Sequence, residues 1–186
     1  SNGGIWQPGD VIQAAIGQSD NAFTPLQLAT YCATIANNGT RLKTHLVKQV
    51  TNYNRDQVIS ETEPEVVAQV DISEENLKTV QEAMKGVTQS GGTANSVFGD
   101  YGITIAAKTG TAENPGHSDN VTFIAYAPYD DPEIAVAVVL EYGSRGTYSM
   151  NVAKDIFDAY FYGKTVDENG NLVMPEETNS SSTANE

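Results

Sequence analysis

The hydrophobic pattern is strongest in a stretch that opens at Thr24-Pro25-Leu26-Gln27. A threonine before proline, with glutamine three positions on, forms a capping box, so the pattern predicts that a helix begins here. The stretch ends at Asn37-Asn38-Gly39, a sequence typical of helix C-termini. Because apolar residues lie on nearly all sides of this helix, we expect it to be deeply buried. Few other helices in the chain are available to cover it, so the sequence predicts a partial domain.

The region between this helix and residue 90 predicts a hairpin and a second helix. Residues 46–50 favour a strand and residues 52–56 a turn, and residues 65–70 favour a strand that pairs with the first. A helix then begins at Ser73, with two glutamates suited to its positive N-terminus. Its apolar stripe consists of Leu77, Val80, Met84 and Val87.

Three strand patterns follow, at residues 103–107, 121–127 and 134–140. Residues 128–132 are turn formers, so the last two strands should form an antiparallel hairpin. Alternation in the third strand separates a large apolar face from a small one. The large face consists of Ile134, Val136, Val138 and Leu140, and the small face of Ala135, Ala137 and Val139. The small face would let helices approach closely.

A final helix is predicted from Ser149 to Tyr162 and stops at Gly163. Its expected core face consists of Val152, Ile156, Phe157, Tyr160 and Phe161. The order of elements predicts an α+β fold, with an antiparallel sheet flanked by helices. We interpret residues 1–2 as an expression scar and residues 3–163 as the folded part. Residues 164–186, an acidic and Ser/Thr-rich tail, are predicted to be disordered.

The composition of the chain argues against several classes of function. A net charge of −14, from 24 acidic and 10 basic residues, disfavours nucleic acid and anionic lipid as partners. No run of 18 apolar residues is present. Cys32 is the only cysteine, and its apolar neighbours predict a small buried side chain rather than a nucleophile. His45 and His117 lack metal-ligand spacing, so we expect solvated loop histidines and no metal or other cofactor.

The segment Ala107-Lys108-Thr109-Gly110-Thr111 is the most informative for chemistry. Strand alternation places Lys108 and Gly110 on one face, where a glycine beside an ammonium leaves room for a ligand along the backbone. The strand amides can pair with an extended peptide while Lys108 holds a carboxylate. A P-loop needs glycine before its lysine, and an aspartyl-phosphate ATPase needs aspartate there, so Ala107 excludes both.

Further blocks of sequence give this triplet a context. Penicillin-recognising enzymes use Ser-x-x-Lys, Ser-x-Asn and a strand with Lys-Thr-Gly. The third element is present here, and the blocks that continue the likeness in the same order are residues 15–18, 24–29, 123–128 and 132–138. Over about residues 4–163, the chain resembles the C-terminal part of a class B, monofunctional penicillin-binding-protein transpeptidase domain. The resemblance implies a β-lactamase/transpeptidase-like fold, of which residues 3–163 form part.

The other two elements are not matched. No Ser-x-x-Lys occurs in the chain, and the nearest approach, residues 40–43, has threonine and follows a helix stop. In the family the serine opens a buried helix well before the segment that matches Gly17-Gln18, so we interpret its absence as truncation. Two Ser-Asp-Asn triplets, at residues 19–21 and 118–120, stand at the wrong places in chain order. We expect the functional triplet upstream of residue 1.

The resemblance implies a role for each residue of the motif. Lys108 would supply positive charge near the serine and the substrate carboxylate, and the hydroxyls of Thr109 and Thr111 would bind that carboxylate. The backbone N–H of Thr111 would form half of the oxyanion hole. Gly110 would keep the cleft open. Arg145 and Tyr142 would lie beside the cleft, and Trp6 is expected in the core.

The implied parent protein is a serine D,D-transpeptidase that crosslinks peptidoglycan stem peptides ending in D-Ala-D-Ala and that β-lactams acylate. It would act outside the cytoplasmic membrane, anchored by a segment not in this chain. The chain alone should be inactive, because it lacks the serine and needs the N-terminal part of its domain. An alternative is a non-catalytic β-lactam sensor or scaffold of the same fold.

Overall fold

The computed structural model describes residues 6–18, 21–114 and 116–174. Ser1-Asn2 and the triplet residues Ser19 and Asp20 lie outside the described residues. The helices are α1 (Pro8–Ala15), α2 (Pro25–Ala36), α3 (Glu74–Gly86), α4 (Asn95–Phe98) and α5 (Gly146–Tyr162). The strands are β1 (Thr40–Leu42), β2 (Gln49–Thr51), β3 (Val58–Glu61), β4 (Val66–Gln69), β5 (Ala106–Ala112), β6 (Asn120–Ala127), β7 (Ile134–Leu140), β8 (Thr165–Val166) and β9 (Leu172–Val173).

An antiparallel sheet in the order β5-β6-β7 forms the centre of the fold. Strand alternation gives it two buried faces, each covered by its own helices. On one face Phe123 stacks on Phe98 with ring centroids 5.6 Å apart, and Phe157 of α5 completes the cluster. On the other face Ile124 and Tyr126 pack with α2 and α3. The predicted division of β7 is confirmed, since Val136 and Val138 face α5 while Ala135 and Ala137 face α2.

The capping box of α2 forms as predicted, but the helix is buried only at its C-terminal half. Thr24 Oγ1 accepts from the Gln27 amide at 3.2 Å, and Gln27 Oε1 accepts from the Thr24 amide at 2.8 Å. Leu26 and Tyr31 remain 62% and 56% exposed. They line a groove of about 620 Å³ between α2 and the β1–β4 pair. The prediction of deep burial is therefore wrong for the described residues, because this half of α2 lacks a covering element there.

The predicted hairpin between residues 46–50 and 65–70 is wrong. Instead, β4 pairs with β1, and β2 pairs with β3. The predicted turn at residues 52–56 does form, and the Asn52 carbonyl accepts from the Arg55 amide at 3.1 Å. This turn connects β2 to β3, which is the next strand along the chain. Contacts after α2 hold β4 on β1, since the Gly39 carbonyl accepts from the Val70 amide at 2.9 Å.

The strand that carries Lys-Thr-Gly starts later than predicted. The expected range was 103–107, whereas β5 begins at Ala106 and runs through the motif. Backbone carbonyls before it are used by other partners: Thr104 O accepts from the Tyr129 amide at 2.9 Å, and Ile105 O accepts from Thr88 Oγ1 at 2.7 Å. The motif itself lies on the strand, as predicted.

The predicted core face of α5 is only partly correct. Phe157 is buried, but Val152, Ile156 and Tyr160 are 42%, 39% and 51% exposed. The observed buried residues are Ser149, Met150, Ala153, Phe157 and Asp158. The buried face of α5 is thus rotated from the predicted one and includes the carboxylate of Asp158. A pattern of hydrophobic residues cannot predict the burial of an aspartate.

Asp158, on α5, is the centre of a buried polar network. Only 2% of it is exposed. Its carboxylate accepts hydrogen bonds from Tyr101 Oη at 2.8 Å, Lys154 Nζ at 2.8 Å and Lys164 Nζ at 2.7 Å. Burial alone would raise the pKa of Asp158, but the hydrogen bonds from the two lysines and the tyrosine outweigh it and the pKa is lowered. The network ties α5 to the segment before β5.

The predicted disordered tail begins too early. Strands β8 and β9 form an antiparallel pair within it. Asp167 closes their turn, because its carboxylate accepts from the backbone amides of Asn169 and Asn171 at 2.9 and 2.7 Å. These local hydrogen bonds order a short polar segment that composition alone assigns to disorder. Residues 175–186 lie outside the described residues.

Cys32 should resist thiol reagents while the protein is folded. Its side chain is fully buried on α2, and burial raises the pKa of the thiol to about 12. At pH 8 both access and thiolate formation are therefore suppressed. We expect no alkylation by iodoacetamide in native buffer and complete alkylation in denaturant, as measured by intact mass. Rapid alkylation of the native protein would contradict this burial.

Candidate active site

The Lys-Thr-Gly strand lies at an edge of the central sheet. Strand β5 pairs with β6 in unbroken register, with Lys108 opposite Ile124 and Gly110 opposite Thr122. Among the described strands none pairs with its other edge. An exposed strand edge presents backbone donors and acceptors to an extended peptide.

Side chains of β5 divide between the two faces of the sheet. Ala106 is fully buried in the cluster with α2 and α3, and Ala107 is fully buried in the cluster with α4 and α5. Alternation from these two anchors places Lys108 and Gly110 on the first face and Thr109 and Thr111 on the second. The predicted arrangement of Lys108 and Gly110 on a common face follows from this register.

Lys108 is an exposed cation that has no ion-pair partner among the residues that the structure describes. Its Nζ donates to the backbone carbonyl of Thr109 at 2.6 Å. The ion pairs found among the described residues involve Lys43, Lys154 and Lys164, so no described carboxylate lies within 4.0 Å of Lys108. In a chain of net charge −14, this ammonium is available to an anionic ligand.

The packing of the sheet does not require glycine at position 110. A Cβ built there would lie 3.5 Å from the Thr122 Cβ, which is ordinary van der Waals contact. Gly110 also has no positive φ that would favour glycine. The open strand surface at Gly110 is therefore available for close approach by a ligand.

A loop that precedes α4 brings Thr93 to the motif. The Thr93 and Thr109 hydroxyl oxygens lie 3.2 Å apart, although 16 residues separate them. The sequence alone does not predict Thr93 as a site residue. The only signal was its position directly after Gly91-Gly92, a turn sequence that marks a loop but not its destination.

Two loops meet where the β5–β6 hairpin turns. His117 is an exposed loop histidine, as predicted, and its ring lies 4.9 Å from the Tyr142 ring, centroid to centroid. Asn120 Oδ1 accepts from the Tyr142 amide at 2.9 Å, and the Asp119 carbonyl accepts from the Ser144 amide at 3.1 Å. Asp119 and Asn120 thus support the β7–α5 loop.

Two other predictions concerned isolated side chains. His45 is exposed, with Nδ1 3.3 Å from the Lys43 carbonyl, as expected for a loop histidine. Trp6 is 55% exposed, so its predicted place in the core is wrong within the described part of the chain. The reason is that α1, which follows it, has no buried residue against which the indole could pack.

Metal sites and membrane spans were also sought. No group of His, Cys, Asp or Glu in the described ranges is arranged to hold a metal ion. None of the helices in that part of the chain has the length and apolar character needed to cross a bilayer.

Comparison with known proteins identifies the family to which this α+β fold with a Lys-Thr-Gly edge strand belongs. The family profile of the penicillin binding protein transpeptidase domain matches residues 1–161. The chain therefore belongs to this family, and its relatives place it with the class B enzymes.

Curated relatives extend well beyond the matched region. Penicillin-binding protein 2A of Bacillus subtilis is 37% identical over 172 residues, covering 82% of this chain and 24% of the relative. Peptidoglycan D,D-transpeptidase MrdA of Haemophilus influenzae is 30% identical over 175 residues, covering 83% and 26%. The chain thus spans about a quarter of the length of these relatives.

Solved structures confirm the predicted fold. Penicillin-binding protein 2B of Streptococcus pneumoniae R6 superposes with a TM-score of 0.72 at 33% identity, over 84% of this chain and 27% of that one. Penicillin-binding protein A of Mycobacterium tuberculosis, solved as an imipenem acyl-enzyme, has a TM-score of 0.68 at 30% identity, over 80% and 33%. The α+β sheet flanked by helices is accordingly part of a transpeptidase domain.

Proposed function

We propose that this chain forms the substrate-binding wall of a serine D,D-transpeptidase that crosslinks peptidoglycan stem peptides ending in D-Ala-D-Ala. The observation that carries the proposal is the edge strand β5, which combines Lys108 and threonine hydroxyls with a backbone edge that no described strand covers, and no described carboxylate forms an ion pair with Lys108. A peptide that ends in a carboxylate matches all three features. Relatives that bear the name peptidoglycan D,D-transpeptidase support the same reaction.

The proposed reaction begins with a serine supplied by polypeptide upstream of this chain. Its oxygen attacks the carbonyl carbon between the two D-alanines, and the proton is transferred to the terminal D-alanine as it leaves. An amine of a second stem peptide then displaces the serine and completes the crosslink. A β-lactam carbonyl reacts with the same serine, but ring opening retains the leaving nitrogen on the inhibitor.

Each motif residue has a place in this reaction. The backbone N–H of Thr111 donates to the oxyanion that forms on the attacked carbonyl, which makes it the catalytic group of this chain. Lys108 supplies positive charge near the serine and the terminal carboxylate. Thr109 and Thr111 direct hydroxyls to that carboxylate, and Gly110 admits the peptide backbone. Tyr142 and Arg145 belong to the β7–α5 loop, a region that the resemblance would place beside the cleft.

Its natural partners would be the stem peptide, β-lactams and the N-terminal part of the transpeptidase domain. The exposed half of α2 is consistent with a covering element from that part. We place the parent protein at the extracytoplasmic face of the membrane, where peptidoglycan is built, anchored by a segment outside this chain. Nucleic acid is not among the proposed partners, because a net charge of −14 disfavours binding to phosphate groups.

Labelling with a fluorescent penicillin tests the proposal. The full-length protein should be labelled covalently, and boiling in detergent should not remove the label. The 186-residue chain alone should remain unlabelled, because no Ser-x-x-Lys is present to form the acyl-enzyme. Covalent labelling of the short chain would overturn the assignment of the nucleophile. A folded full-length protein that takes up no penicillin would favour the non-catalytic scaffold.

A further inference from the structure

The loop between α3 and α4 is hydrogen-bonded to the residue that directly precedes β5. Thr88 is 1% exposed, and its Oγ1 donates to the Ile105 carbonyl at 2.7 Å, directly before the strand. The Thr88 carbonyl in turn accepts from Asn95 Nδ2 at 3.2 Å. The first bond is buried and fixes the start of the loop to the residue before the Lys-Thr-Gly strand, and the second joins the two ends of the loop to each other.

The backbone of this loop has little freedom before Thr93. The Ala94 amide donates to the Val87 carbonyl at 2.9 Å, and Ala94 is fully buried. A Cβ at Gly92 would lie 2.2 Å from the Val87 carbonyl oxygen, so a larger residue requires the backbone to move. Thr93 is consequently presented to β5 by a closely packed turn between two fixed points.

We propose that Thr93 is a positioning residue that orients the hydroxyl of Thr109 toward the substrate carboxylate; the inference rests on the proposed function. The two oxygens are 3.2 Å apart, so one hydroxyl donates to the other. A threonine hydroxyl has a single hydrogen and two lone pairs. When Thr109 gives its hydrogen to a carboxylate, its lone pair accepts from Thr93.

This arrangement makes a two-step chain of hydrogen bonds that ends on the anion. Donation from Thr93 selects the Thr109 rotamer that points its hydrogen away from Thr93. It also polarises the Thr109 hydroxyl, which strengthens the bond to the carboxylate. Thr93 acts through Thr109, so its effect depends on the ligand's negative charge.

The test compares two substitutions at position 93 in the full-length protein. Thr93→Val removes the hydroxyl at nearly constant shape, and Thr93→Ser retains it. The measured quantity is the second-order rate constant of acylation by penicillin G and by its methyl ester, each in competition with a fluorescent penicillin. Ser96→Ala, an exposed substitution on α4, is the matched control.

Loss of one hydrogen bond corresponds to about a fivefold fall, which we expect for Thr93→Val with penicillin G. Thr93→Ser and Ser96→Ala should stay near the wild-type rate. The methyl ester has no carboxylate, so Thr93→Val should leave its slower reaction unchanged. That dependence on charge separates positioning from a general loss of structure.

An unchanged rate of Thr93→Val with penicillin G would overturn the inference alone. An equal fall for penicillin G and its ester would also overturn it, because a damaged fold slows both reactions. A wild-type full-length protein that is never acylated would overturn both the proposed function and the inference that rests on it.

Discussion

Replacing Lys108 with alanine in the full-length protein is expected to slow acylation by penicillin about 100-fold, the loss typical of one electrostatic contact to the transition state. Its ammonium is exposed and has no described carboxylate within 4.0 Å. The substitution therefore removes the positive charge that would lie beside the anionic ligand. It leaves no buried group unpaired. The second-order rate constant measures the effect, and the thermal unfolding midpoint should change little.

A matched control separates this local effect from the change in net charge. Lys78→Ala removes the same charge from an exposed position on α3. We expect this variant to react at the wild-type rate. Equal rates for Lys108→Ala and wild type would contradict the role of Lys108, and an equal loss in both variants would indicate a long-range effect of charge.

Replacing Asp158 with asparagine should cost about 2–3 kcal/mol of stability, because hydrogen bonds from charged donors to a buried acceptor are lost. Two lysines and Tyr101 all donate to this carboxylate, and an amide cannot satisfy them equally. Denaturant unfolding measures the change. Asp155→Asn, at an exposed position of α5, is the control and should be close to neutral. A neutral Asp158→Asn would show that the network does not stabilise the fold.

The pH dependence of stability follows from the same carboxylate. The pKa of Asp158 is lowered in the folded state, so the unfolded state binds its proton more readily. Its contribution is complete above the unfolded pKa, close to 3.9, and is lost as the pH falls through the folded value. Wild type should therefore lose stability in acid more steeply than Asp158→Asn. Parallel acid profiles for the two proteins would contradict the lowered pKa.

Regular alternation made the inner strands predictable. The ranges expected for β6 and β7 differ from the observed ones by at most one residue, and the two faces of β7 are as predicted. The pairing of β4 was not predictable, because two strands compete for it and the choice depends on contacts at Gly39. Asp158 misled the prediction of α5, since its burial depends on lysines and a tyrosine brought together by the fold.

In the candidate site, too, residues adjacent in the sequence were predictable, whereas contacts between distant residues were not. Lys108, Thr109, Gly110 and Thr111 were identified from adjacent letters and from the family's motif. Thr93 could not be, because its partner is 16 residues away and a loop fixed by Thr88 brings the two together. His117 lies exposed on its loop as predicted, but its contact with Tyr142 could not be predicted, because the two residues are far apart in the sequence.

A crystal structure of the full-length protein acylated by penicillin G tests the central claim most directly. We expect the ester carbonyl oxygen to lie about 2.7–3.1 Å from the Thr111 backbone nitrogen, the range of an oxyanion-hole donor. The penicillin carboxylate should contact Thr109 Oγ1. An acyl group that lies away from β5, with Lys108 and Thr109 free of the ligand, would contradict the assignment of this strand as the substrate-binding wall.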